Sequence, residues 1–131
     1  MEFPLYITGF ATVLLAILHL SLTFNVIFKR RSDKIVHGDN NDKTMMKRIR
    51  GHANASEQIP IALITMALAE WVLPGWWIAA IASLLVIGRI IHGVYFAQQG
   101  LPHQLRVFGM LFTLFAQIGS ITTLTIGLIF S

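Results

Sequence analysis

The chain has no cysteine among its 131 residues. Disulfides, thiolate nucleophiles and cysteine-ligated metals are therefore excluded. Any thiol chemistry here must borrow its thiol from a small molecule. Charge is also scarce, at 12% of residues, against about a quarter in a soluble domain. Hydrophobic residues make up 55%, and the mean hydropathy is +0.68. Composition points to a membrane protein. Acids are fewer than bases, six against ten, for a net charge of +4. Eight of the ten Lys and Arg lie between Lys29 and Arg50. That block reads as a topology signal. Nucleic-acid binding would need a soluble surface to present it, and little of the chain is soluble. The length suits one compact domain. No internal repeat or low-complexity tract interrupts it.

Residues 3–28 carry no charge, and about 20 helical residues cross the hydrocarbon core. This predicts a first span. A signal peptide fits poorly: the apolar run is too long, no basic segment precedes it, and basic residues follow it. Residues 29–48 read as a hydrophilic loop with a turn at Gly38-Asp39-Asn40-Asn41-Asp42. The second span is harder to place. Only 12 uncharged residues separate Glu57 from Glu70, too few to cross. A crossing helix must begin near Lys47–Gly51, which brings Asn54 and Glu57 to membrane depth. Pro60 falls inside it, as membrane helices tolerate. Leu73-Pro74-Gly75 makes a turn flanked by Trp71, Trp76 and Trp77, an interfacial signature. A third span follows over about 76–98, then a break at Gly100-Leu101-Pro102, then a fourth over about 104–130. The prediction is an all-α, integral membrane, antiparallel four-helix bundle with helices over 3–28, 48–70, 76–98 and 104–130. The positive-inside rule puts the 29–48 loop in the cytoplasm and both termini on the opposite side.

The polar residues at membrane depth form a pattern. Arg50, Asn54 and Glu57 are spaced i, i+4, i+7 on one helix face. Arg89, His92 and Phe96 share a face of the third helix. His52, Tyr95, Gln104 and Arg106 lie at the same depth. A charge in lipid costs roughly 2.5–3.5 kcal/mol even on the lenient translocon scale, so these groups should face the interior or a wet cavity. A structural reading pairs Glu57 with Arg50 or Arg89. The set as a whole argues for more: Arg50, Arg89 and Arg106 are three cations against the one acid, Glu57. Surplus positive charge suits an anionic ligand, and arginine forks match carboxylates. His19 and Asn25 read as interhelical hydrogen-bonders, and Gly109, Gly119 and Gly127 as close-packing positions. Lys29, Arg30, Arg31 and Lys34 read mostly as headgroup contacts. Arg30 or Arg31 can reach a site edge, with Arg30 the candidate carried forward. The histidine spacing suits no metal site.

The stretch Arg48-Ile49-Arg50-Gly51-His52-Ala53-Asn54-Ala55-Ser56-Glu57-Gln58-Ile59-Pro60 resembles the signature of the MAPEG superfamily, the membrane-associated proteins in eicosanoid and glutathione metabolism. Its core, Arg-x-x-x-Asn-x-x-Glu followed by Pro, stands as Arg50, Asn54, Glu57 and Pro60. Gly88-Arg89-Ile90-Ile91-His92 is similar to the third-helix motif. Gln104-Leu105-Arg106-Val107-Phe108-Gly109-Met110, with Thr113, is similar to the start of the fourth helix. Two positions depart from the pattern: Ala53 replaces a second arginine, and Phe96 stands where several enzymes carry tyrosine, with Tyr95 adjacent. The resemblance to bacterial-type members implies a homotrimer, an inner-membrane location and glutathione held between subunits as co-substrate. Glutathione-binding candidates are Arg50, Asn54, Glu57, Arg89, His92, Tyr95 and Arg30. Arg106 is the catalytic candidate, stabilising the thiolate. The expected function is a glutathione-dependent transferase or peroxidase acting on lipophilic small-molecule electrophiles that enter from membrane lipid. The alternatives are a non-catalytic protein binding glutathione, another anion or a lipid, and a purely structural trimer.

Overall fold

The computed structural model describes residues 4–130, so the expected helix start at residue 3 lies outside them. Four helices follow in order: α1 Tyr6–Asp33, α2 Lys43–Val72, α3 Trp76–Ala97 and α4 Gln104–Phe130. No strand occurs among the described residues. The all-α four-helix bundle is as expected. α2 and α3 touch each other and both outer helices, whereas α1 and α4 do not meet. Three helices, α1, α3 and α4, are long and apolar enough to cross a membrane. α2 has the length, 30 residues, but not the apolarity. α1, α3 and α4 all pack against it.

The helices run further than the apolar stretches suggest. α1 continues to Asp33 and α2 begins at Lys43, so the basic block is mostly helical. Hydropathy marks only what lies in lipid, while capping decides where a helix ends. At the α1 end, Lys34 turns left-handed (φ 56°), and the Ile35 N–H reaches back to the Arg30 carbonyl at 2.9 Å. That is a Schellman-type stop. Gly38, Asn40 and Asn41 also take positive φ, residue types that tolerate it best. The α2 cap is Asp42, whose carboxylate accepts from Thr44 N (2.7 Å) and Met45 N (3.0 Å). Lys29 pairs with Asp33 and, at 3.1 Å, with Asp42. The Met45 N–H and then Lys29 hold the Asp42 carboxyl below its ordinary range. The cap therefore persists at neutral pH and is lost only as acidification protonates it.

The other end is closed differently. Glu70, buried near the end of α2, accepts from Ile7 N (2.9 Å) and Thr8 N (2.8 Å). Leu5, at the N-cap, makes no side-chain cap bond, so an acid on α2 caps α1. A carboxylate there satisfies orphan donors and complements the helix dipole. The Trp77 indole donates to the Leu73 carbonyl at 3.2 Å, tying the α2–α3 turn. Trp71 and Trp76 point outward, as interfacial tryptophans do.

Small residues let the helices close. A Cβ on Gly109 would lie 2.7 Å from the His92 nitrogen and 2.8 Å from the Gly88 carbonyl, both backbone atoms of α3. One on Gly88 would meet the Gly109 carbonyl at 2.9 Å. Gly119 and Gly127 face only side-chain atoms of Ile81, Val72 and Leu73. All three α4 glycines thus serve helix packing, as expected. Gly109→Ala should destabilise the protein by about 1–3 kcal/mol, since backbone cannot yield as a side chain can. Gly119→Ala should cost less than half of that, because the Ile81 side chain can move. Thermal unfolding of the two variants in the same detergent checks the order.

Candidate functional site

A cleft of about 730 Å³ opens at the end of the bundle that carries the start of α2, the end of α3 and the start of α4. Each helix supplies one stripe. α2 contributes Lys43, Lys47, Arg50 and Asn54, at i, i+4, i+7 and i+11. α3 contributes His92 and Phe96, α4 contributes Arg106, Val107 and Leu111, and the turn between them adds Gln99 and His103. Gly51 makes this possible, because a Cβ there would strike Phe96 Cβ at 2.4 Å. Without a side chain, α2 sits directly against α3.

Four of the lining residues are cations, and no acid lines the cleft. The Arg106 guanidinium lies 5.8 Å from the centre of the Phe96 ring, within cation–π range. Lys47 donates to the Gln98 carbonyl at 2.8 Å and sits 4.1 Å over the Tyr95 ring.

Behind this wall lies Arg89, fully buried. Its Nη2 donates to Asn54 Oδ1 at 2.9 Å and stands 3.5 Å from His92 Nδ1. Its Nε and Nη1 have no hydrogen-bond partner. Among the described residues the ion pairs are Lys29–Asp33 and Lys29–Asp42, so no carboxylate neutralises Arg89. The structural reading, in which Glu57 pairs with Arg50 or Arg89, is not realised within this chain. Glu57 lies one turn beyond Asn54 on the same face of α2, is exposed, and stands outside the cleft lining.

The structure thus brings Arg50, Asn54, His92 and Arg106 onto one cleft. Arg89 stands behind Asn54 and His92. Tyr95 lies beside the cleft under Lys47, with His103 at 6.2 Å between ring centres. Arg30 donates to the Gly38 carbonyl at 2.9 Å and is held on the α1–α2 turn. His52 turns away to α1, where it meets Thr23 at 3.1 Å and the His19 ring at 4.9 Å. His19 itself bonds Ser56 at 2.8 Å, the interhelical role expected of it. Sequence reasoning missed Lys43 and Lys47 as cleft residues by assigning them to the loop. Extending the Arg50–Asn54 face back by one and two turns would have found both.

The sequence profile described as the MAPEG family matches residues 8–126. The chain belongs to the MAPEG family. It is 30% identical over 87 residues to the inner membrane protein YecN of Escherichia coli strain K12. The same figures hold for YecN of the O6:H1 strain CFT073. That match spans 66% of this chain and 66% of the relative's length. The matched family region contains every cleft residue.

Asn54 is the pivot between Arg89 and the cleft, so its substitutions should diverge. Asn54→Leu leaves the buried Arg89 without its oxygen acceptor and should cost about 1–3 kcal/mol of stability. Asn54→Asp supplies a counter-charge beside Arg89 and should raise the melting temperature. Opposite shifts of the two variants in one thermal-unfolding series check the assignment.

Proposed function

We propose that this MAPEG protein is a glutathione-dependent transferase or peroxidase acting on lipophilic electrophiles. The observation that carries the reading is the cleft lining, with four cations, polar donors and no acid. Glutathione brings two carboxylates and an ammonium. Arg50 and Lys43 suit the carboxylates, and exposed Glu57 offers an acceptor for the ammonium. Arg106 beside the sulfur favours the thiolate, lowering a thiol pKa from about 8.5. The absence of cysteine is consistent with a borrowed nucleophile.

In the transferase reaction the thiolate forms a C–S bond to the electrophile, and the leaving group departs with its electron pair. With a hydroperoxide the thiolate attacks oxygen and the O–O bond breaks. A second glutathione then completes reduction to alcohol and water, leaving glutathione disulfide. Access from lipid fits Val107 and Leu111, which line the cleft while remaining 44% and 40% exposed. The functional unit is a homotrimer in this reading. An unpaired Glu57 on the flank of one subunit then finds its partners in glutathione or a neighbouring subunit. The basic end, with the cleft, faces the cytoplasm and both termini face the other side, by the positive-inside rule.

Purified protein in detergent should show a raised melting temperature with millimolar glutathione. It should also conjugate a chromogenic chloronitrobenzene, with Arg106→Ala slower by about 10²-fold. Stabilisation without turnover would make the protein a binder. No stabilisation would count against glutathione altogether. Equal rates for wild type and Arg106→Ala would remove Arg106 as the activating group.

A further inference from the structure

Arg89 is the least explained group in the molecule. It is fully buried and, among the described residues, has no paired acid and keeps two N–H-bearing nitrogens without a hydrogen-bond partner. It does not line the cleft, yet it touches two residues that do: Asn54 at 2.9 Å and His92 at 3.5 Å.

A guanidinium only donates. Asn54 must therefore turn its carbonyl oxygen toward Arg89, which leaves the amide NH2 as the group available to the cleft. His92 must present an unprotonated Nδ1 to Arg89, so in the neutral ring the proton sits on Nε2. One buried cation thus dictates the sense of two neutral side chains. Without it, Asn54 could flip and His92 could exchange tautomers, and either would offer an acceptor to an incoming anion.

We infer that Arg89 is a positioning residue that makes Asn54 and His92 obligate donors toward an anion bound in the cleft. It acts through them and does not itself contact the ligand. This deepens the proposed function, since the anion there is glutathione, but the polarity of the wall does not depend on which anion binds. The unpaired charge gives a second consequence. A buried cation stands behind the cleft wall, and negative charge bound in the cleft would compensate it across Asn54 and His92.

The test reads the imidazole directly. Nitrogen-15 spectra of histidine-labelled protein in detergent, with the His92 signal assigned by its loss in His92→Gln, should show the Nε2–H tautomer at neutral pH without ligand. Arg89→Met should give a tautomer mixture, and Arg89→Lys, which still only donates, should restore Nε2–H. Glutathione affinity of folded Arg89→Met should fall about tenfold or more, with Arg89→Lys recovering part of it. A merely structural arginine would lower the melting temperature and leave tautomer and affinity unchanged. An Nδ1–H or charged His92 in the wild type overturns the inference, and this readout stands even if Arg89→Met does not fold. If the tautomer pattern holds but no form binds glutathione, the inference stands and the glutathione reading fails. If wild type and folded Arg89→Met bind glutathione equally, the reading stands and the inference fails.

Discussion

The contact between Arg89 and Asn54 joins the interior of this bundle to its open end. A buried guanidinium is costly unless it is hydrogen-bonded and neutralised. Here it is only partly hydrogen-bonded and, among the described residues, not neutralised. Its one strong hydrogen bond, to Asn54, is therefore a contact the bundle cannot easily give up. The local architecture follows from it. Asn54 must stand on the face of α2 that meets α3, which sets the rotation of α2 and carries Lys43, Lys47 and Arg50 onto the cleft. Gly51 on α2 and the Gly88–Gly109 contact let the three helices approach closely enough to hold that register.

Much of this could be read from the chain. The number and order of helices followed from uncharged runs and turn residues. The awkward second span was legible because 12 uncharged residues are too few to cross. That mismatch, rather than any apolar signal, placed Asn54 near the membrane interior. Spacing alone put Arg50 and Asn54 on one face.

What escaped was whatever depends on the direction of a side chain across helices. Arg89, His92 and Phe96 share a helix face by spacing. Nothing in the spacing says that Arg89 turns inward behind His92 while Phe96 lines the cleft. Lys43 and Lys47 were hidden by hydropathy, which cannot see a helix that extends into water from an Asp42 cap. The Arg30 side chain is held on the turn because its guanidinium meets the backbone carbonyl of the left-handed Gly38, a tertiary event with no local trace.

Glu70 entered the sequence reading only as the end of an apolar stretch, yet it holds the first turn of α1. This bears on the timing of biosynthesis. Two of the opening N–H groups of α1 belong to residues 7 and 8, and their acceptor is made more than sixty residues later. While only α1 has been made, those two N–H groups lack this acceptor and must turn to water or headgroups instead. They acquire it only when α2 has been made and brings the Glu70 carboxylate to them. The amino-terminal turn is therefore completed by the second helix, and its final hydrogen bonds form only after α2 is in place.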